Sequence, residues 1–470
     1  MAQQITKKRL ASNIIISITV QLISMAVSFL LTLIVPKFID EYQYAYWQTY
    51  VMYVGYVGIL HFGLLDGIVL RYSQYDYEEL DKARIRSQLH VMLVFMSIIA
   101  AVAVVVAVVA LDGVARSTVI LVAIGILTKN VVTYVSYTFQ ITNRINRYAI
   151  LIILQRVAYG IIVVILLVCG VNDFVWYCVA DLAGDIIGIL VTAFFNRGMY
   201  LGKSFGIKPT LSEMKTNLAA GINLVIANWS AMFIVGGAKM IVQWHWDALV
   251  FGKVSFAFSI SNVFLTFVSA ASVVLFPSLK RLEQDKLPGV YKNIRGVMSP
   301  LLVSAMILYF PGCWLLSMWL PAYSESLVYL GYLLPIIIYS SKINLLTNNY
   351  LKAYRKERAM LVINVASFAV SAVVSCLGTF VFDSLETVLI GVVVTLMLSS
   401  IASEIVVLKT IRVRMVLPFI LEAAMTAGFI LCASMLDLWI GCAVYGGALL
   451  VYLLFNIRQL SGLLRRFKRS

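Results

Sequence analysis

Ten charged side chains, Asp, Glu, Lys or Arg, stand inside stretches otherwise apolar enough to cross a bilayer. Five are basic (Lys129, Arg156, Lys239, Lys253, Lys342) and five acidic (Asp66, Asp181, Asp185, Glu404, Glu422). A charge at bilayer depth costs roughly 2.5 to 3.5 kcal/mol on insertion scales, so it faces a wet cavity or a partner. Asp181 and Asp185 are one helical turn apart and share a face. With Lys129 or Arg156 they could form structural ion pairs; alternatively the two bases line a water-filled cavity that receives an anion. Lys239, Lys253 and Lys342 have no acid within their own spans, which points to a functional role, although Lys253 could reach the outer interface. Glu404 is one turn from a span end and is expected to snorkel. Glu422 falls near the C-terminus, outside the repeat plan set out below.

Uncharged polar residues add to this pattern. Asn13, Ser17, Gln21, Ser24 and Ser28 recur at helical spacing on one face of the first span; that face lines a wet lumen or packs closely on another helix. The amides favour the lumen. A second concentration runs from Ser340 and Ser341 to Thr347, Asn348 and Asn349, and Tyr46, Tyr50 and Tyr53 share a face of the second span. Tyr46 suits an interfacial aromatic belt. Among enzyme signatures, no Walker loop, HExxH or magnesium-holding acidic pair occurs. His61, His90 and His245 are scattered. No metal site, catalytic residue or cofactor is expected.

The elements that must hold these residues are membrane helices. Hydrophobic residues make up 61% of the chain and charged ones 13%, against about 45–50% and 25% in soluble domains. Fourteen apolar stretches can be read, at 12–35, 45–70, 88–110, 118–139, 149–169, 175–195, 218–242, 248–278, 296–319, 327–346, 359–381, 387–408, 415–436 and 438–456, each near the length a bilayer core requires. With the N-terminus inside, the inside segments hold 30 Lys/Arg and the outside loops two, Lys37 and Arg116, as the positive-inside rule requires. The fold class is therefore an all-α polytopic membrane protein with both termini cytoplasmic. The net charge of +15 faces anionic membrane lipids and is no sign of nucleic-acid binding. The six cysteines all fall within spans and read as packing residues. The first apolar stretch is about twice the usual length of a signal-peptide core and reads as a retained helix.

Loops are short, so function must lie within the bundle or at its rims. Segment 196–217 divides the chain into helices 1–6 (1–195) and helices 7–12 (218–408), with helices 13–14 and a basic tail at 409–470. An internal echo crosses the divide: Asp40 precedes Ala45-Tyr46-Trp47 as Asp247 precedes Gly252-Lys253-Val254. Paired six-helix halves are a common transporter plan.

The run Pro36-Lys37-Phe38-Ile39-Asp40-Glu41-Tyr42, then Tyr46-Trp47, Gly63-Leu64-Leu65-Asp66-Gly67 and Arg71, resembles the N-terminal pattern of Wzx-type polysaccharide flippases of the MOP exporter superfamily. The stretch Leu275-Phe276-Pro277-Ser278-Leu279-Lys280-Arg281-Leu282 is similar to that family's ending of helix 8. Ala45 departs from the pattern, which often has Gly there. The resemblance implies a MATE-like fold of two six-helix lobes plus two helices in the bacterial inner membrane. It implies transfer of an undecaprenyl-diphosphate-linked oligosaccharide from the inner to the outer leaflet by alternating access, for O-antigen, capsule or exopolysaccharide. Glycosyltransferases and a polymerase would be partners. Coupling would be to a Na+ or H+ gradient or to the membrane potential. On this reading Lys129, Arg156, Lys239, Lys253, Lys342, Asn13 and Gln21 bind substrate, and Asp66, Asp181 and Asp185 serve in coupling or ion pairing. A polar lumen spares sugar hydroxyls the cost of desolvation, and cations suit a diphosphate.

The alternative is an ion-coupled exporter of cationic drugs from the same superfamily, which would show buried acids without nearby bases. An enzyme of lipid-linked sugar metabolism is disfavoured by the short loops. A major-facilitator transporter is disfavoured by the loop Ser73-Gln74-Tyr75-Asp76-Tyr77-Glu78-Glu79.

Overall fold

A computed structural model describes residues 7–75, 77–280, 286–413 and 415–467, with side chains for these except 7–14, 17, 267–280 and 457–467. Asn13 and the 275–282 motif therefore lie outside the described side chains. The chain is helical, as backbone in hydrocarbon must satisfy its own hydrogen bonds. Twelve helices are long and apolar enough to span, and two bent pairs raise the number to fourteen among the described residues.

In order, the helices are α1 (Lys7–Phe29), the bent pair α2 (Glu41–Tyr56) and α3 (Leu64–Tyr72), α4 (Lys82–Ala110), α5 (Gly113–Ile141), α6 (Ile145–Val168) and α7 (Phe174–Phe195). They continue as α8 (Ile207–His245), α9 (Ala248–Lys280), α10 (Leu287–Trp319), the bent pair α11 (Ser324–Leu333) and α12 (Ile336–Ala353), α13 (Glu357–Phe380), α14 (Leu385–Thr410), α15 (Leu417–Met435) and α16 (Leu438–Phe467). Both acids of the sequence echo cap helices. Asp40 accepts from the Tyr42 amide at 2.9 Å, and Asp247 from the Val250 amide at 2.8 Å. Each satisfies an amide that the first helical turn leaves open.

The α2–α3 pair bends by 56°, where Phe62 and Gly63 both take positive φ (49° and 88°). This is the Gly63-Leu64-Leu65-Asp66-Gly67 motif, and its glycines have a packing reason. A Cβ on Gly67 would overlap the Asn217 carbonyl, and one on Gly221 would overlap the Gly63 carbonyl. Only small residues let α3 and α8 approach this closely. The α11–α12 pair bends by 51° at Pro335, which cannot continue the amide ladder.

The chain forms two compact units, Met1–Trp229 and Ser230–Ser470. The division falls within α8, C-terminal to the 196–217 segment. In the first unit α5 packs on α2, α3, α4 and α7, and α6 packs on α1 and α7. In the second, α14 packs on α11, α12 and α13, α15 packs on α10 and α11, and α16 packs on α10 and α15. Of the twelve unbroken spans among the described residues, α5 and α14 are the most interior, each with 56% of its most apolar window buried. These two helices carry Lys129 and Glu404.

Candidate functional site

In the first unit, α5 brings Lys129 between the two acids of α7. Its ammonium is 2.8 Å from Asp181 and 3.0 Å from Asp185. Tyr50 on α2 donates its hydroxyl to Asp181 at 3.0 Å, Thr128 donates to Asp185 at 2.9 Å, and the Gln155 amide of α6 donates to Asp185. Gly184 makes this meeting sterically feasible, since a Cβ there would stand 2.7 Å from the Gln155 carbonyl. Of the two readings left open for Lys129, the structure takes the ion pair. The Tyr46–Tyr50–Tyr53 face correspondingly turns inward at Tyr50, which is fully buried.

Arg156, one residue beyond Gln155, makes no ion pair or hydrogen bond among the described residues and is partly exposed. Gln21 is half-buried on α1, which packs on Arg156's helix. Asp66 sits in the first turn of α3, 7% exposed, with no cation in ion-pair reach among the described residues. The helix N-terminus is the group that favours its negative charge.

In the second unit the expectation for Lys342 is overturned. It is fully buried, with Glu422 at 2.5 Å and Glu404 at 3.1 Å. Arg295 completes a ring, 3.2 Å from Glu404 and 3.0 Å from Glu422, and the Phe419 ring lies 5.2 Å from Arg295 and 5.6 Å from Lys342. The acids come from α14 and α15, remote in sequence, so inspection of Lys342's own span could not find them. Glu404 does not snorkel, and Glu422 ties α15 into the same unit. Arg295, read as a loop residue, was missed. The available signal was its position directly before the ninth apolar stretch, opposite two acids that had no partner in sequence.

Lys253 is also paired, with Glu325 of α11 at 2.5 Å. Lys239 is not. Its ammonium lies over the faces of Phe258 (5.4 Å) and Phe251 (5.8 Å) on α9, partly exposed and without a carboxylate partner among the described residues. Such stacking leaves the positive charge available to an anion. Of the five basic residues that the sequence places within spans, three are held by carboxylates and two, Arg156 and Lys239, meet none among the described residues. None of the histidines joins these groups: His61 accepts from the Gly63 amide, His90 meets Ser204, and His245 meets Asp383.

The motif arginine, Arg71, reaches Asn217 at 2.5 Å and Glu213 at 2.7 Å on α8. Tyr72 also donates to Glu213, and Asn217 donates to Gln88 of α4. The motif therefore builds a helix junction, with glycines for approach and Arg71 as its polar clasp.

The fold is similar to that of the lipid II flippase MurJ in an inward closed conformation (TM-score 0.69, 10% identity, covering 95% of this chain and 99% of that one). It is also similar to an inward-facing multidrug resistance MATE family transporter of the MOP superfamily (TM-score 0.60, 13% identity, 85% and 98% covered), and to a MATE in the bent conformation (TM-score 0.56, 14% identity, 88% and 96% covered). No curated protein matches the sequence. Residues 10–283 match the family described as polysaccharide biosynthesis protein, and this multi-pass membrane protein belongs to that family.

Proposed function

We propose that the chain is a flippase that carries an undecaprenyl-diphosphate-linked oligosaccharide from the inner to the outer leaflet of a bacterial cell membrane, supplying a surface polysaccharide. The observation that carries this reading is the pair of intramembrane cations, Arg156 in the first unit and Lys239 in the second, that meet no carboxylate among the described residues. An unpaired charge at that depth is costly, and a diphosphate repays the cost through charge-assisted hydrogen bonds. The inside-negative potential favours outward passage of negative charge by about 2.3 kcal/mol per charge per 100 mV. Glycosyltransferases making the glycan and a polymerase consuming it would be the working partners.

One observation favours the second reading, a cation exporter: Asp66 is a buried acid with no base in ion-pair reach among the described residues. The two separate by experiment. In cells dependent on this chain, Arg156→Ala with Lys239→Ala abolishes surface polysaccharide at unchanged membrane abundance, whereas Asp66→Asn spares it. Normal polysaccharide from the double variant would refute the anionic-substrate reading. Loss of drug tolerance in Asp66→Asn with polysaccharide intact would favour the exporter.

A further inference from the structure

The two buried charge groups of this protein are unequally balanced. The second unit sets two acids, Glu404 and Glu422, against two bases, Arg295 and Lys342. The first unit sets two acids, Asp181 and Asp185, against Lys129 alone. Arg156 does not close the gap, because it reaches no carboxylate among the described residues. Fully ionised, the first group carries one uncompensated negative charge, with Asp185 wholly enclosed (0% side-chain exposure) and Asp181 slightly open (14%). A buried charge without its counterion is resolved by binding a cation or by neutralisation.

The geometry argues against a metal ion. The Lys129 ammonium occupies the space between the carboxylates that a metal would take. All four carboxylate oxygens also face hydrogen-bond donors: Lys129, Tyr50, Thr128 and Gln155. A proton fits, provided the oxygen that receives it faces a group able to accept. Lysine and the glutamine amide nitrogen cannot accept, but a hydroxyl can do both. Two positions meet that condition, Asp185 Oδ2 against Thr128 and Asp181 Oδ2 against Tyr50. The remaining titratable neighbours are Tyr159 on α6, itself beside Arg156, and Cys178 on α7.

We infer that Asp181, Lys129 and Asp185 form a proton-binding site. It rests with a proton on Asp185 Oδ2, donated to the Thr128 hydroxyl, and exchanges it with water through the more open Asp181. In the exchange a carboxylate oxygen takes up a proton from water as Thr128 rotates from donor to acceptor, and the reverse releases it. On the transport reading above, the site couples substrate movement to a proton gradient. The proton itself is measurable without substrate, so failure of either reading is visible separately.

The test is infrared difference spectroscopy of the purified full chain in nanodiscs as pH is stepped. A protonated-carboxyl band equivalent to one proton per molecule is expected, absent in Asp185→Asn, shifted in Thr128→Val and unaltered by NaCl at constant ionic strength. Asp185→Asn should fold about as well as the parent, since a neutral amide keeps the charge balance of the resting, protonated site. If it does not, Asp181→Asn and Thr128→Val carry the same test. A spectrum from which neither Asn substitution removes a band, or one that answers to sodium instead of pH, overturns the assignment.

Discussion

Lys342 discriminates between a substrate-binding cation and a structural one. Replacing it with Ala deletes one charge from a ring whose four side chains are 0–5% exposed. Arg295 is left facing two carboxylates, with one negative charge uncompensated in a membrane interior. Breaking a buried pair by removing one partner costs about 3–5 kcal/mol. For a body the size of the second unit, with about 2–4 °C of unfolding midpoint per kcal/mol, the midpoint in detergent should fall by roughly 6–20 °C, with a matching loss of membrane abundance. The compensated variant is the stronger half of the test. Lys342→Met with Glu422→Leu leaves Arg295 and Glu404 as a balanced pair and should return to within about 2 kcal/mol of the parent, or exceed it, because apolar isosteres of buried pairs are often neutral or stabilising. Thermal unfolding followed by tryptophan fluorescence measures both. If Lys342→Ala unfolds with the parent and loses only polysaccharide export, the ring is not a structural clasp and the reasoning fails.

Two further outcomes follow from packing and exposure. Gly67→Leu should separate α3 from α8, since even its Cβ collides with the Asn217 carbonyl; overpacking of this kind costs about 1–3 kcal/mol, readable as faster proteolysis of the chain in membranes. Lys253→Ala should change the unfolding midpoint little, because Glu325 is 66% exposed and pairs of that kind contribute about 0–1 kcal/mol; a loss comparable to that of Lys342→Ala would contradict the distinction drawn between them.

The junction of α3 and α8 shows how far a motif could be read. Gly63, Gly67 and Arg71 stood out as a pattern, but their reason lies at Glu213, Asn217 and Gly221, about 150 residues away in the chain. Asp40 and Asp247 were more legible, because a cap acts on amides two or three residues away.

The sequence by itself determined that the chain is a bundle of about fourteen membrane helices, which loops are rich in Lys and Arg, and, Arg295 apart, which of the paired charges lie within spans. These properties are local, because hydropathy and loop charge are summed along the chain. Only the tertiary structure decided which charges are spent on one another. Lys129 meets acids two spans on, and Lys342 meets acids from α14 and α15, while Arg156 and Lys239 meet none among the described residues. Pairing is a matter of distances of a few ångströms between helices far apart in sequence. No one-dimensional pattern encodes which faces of those helices meet.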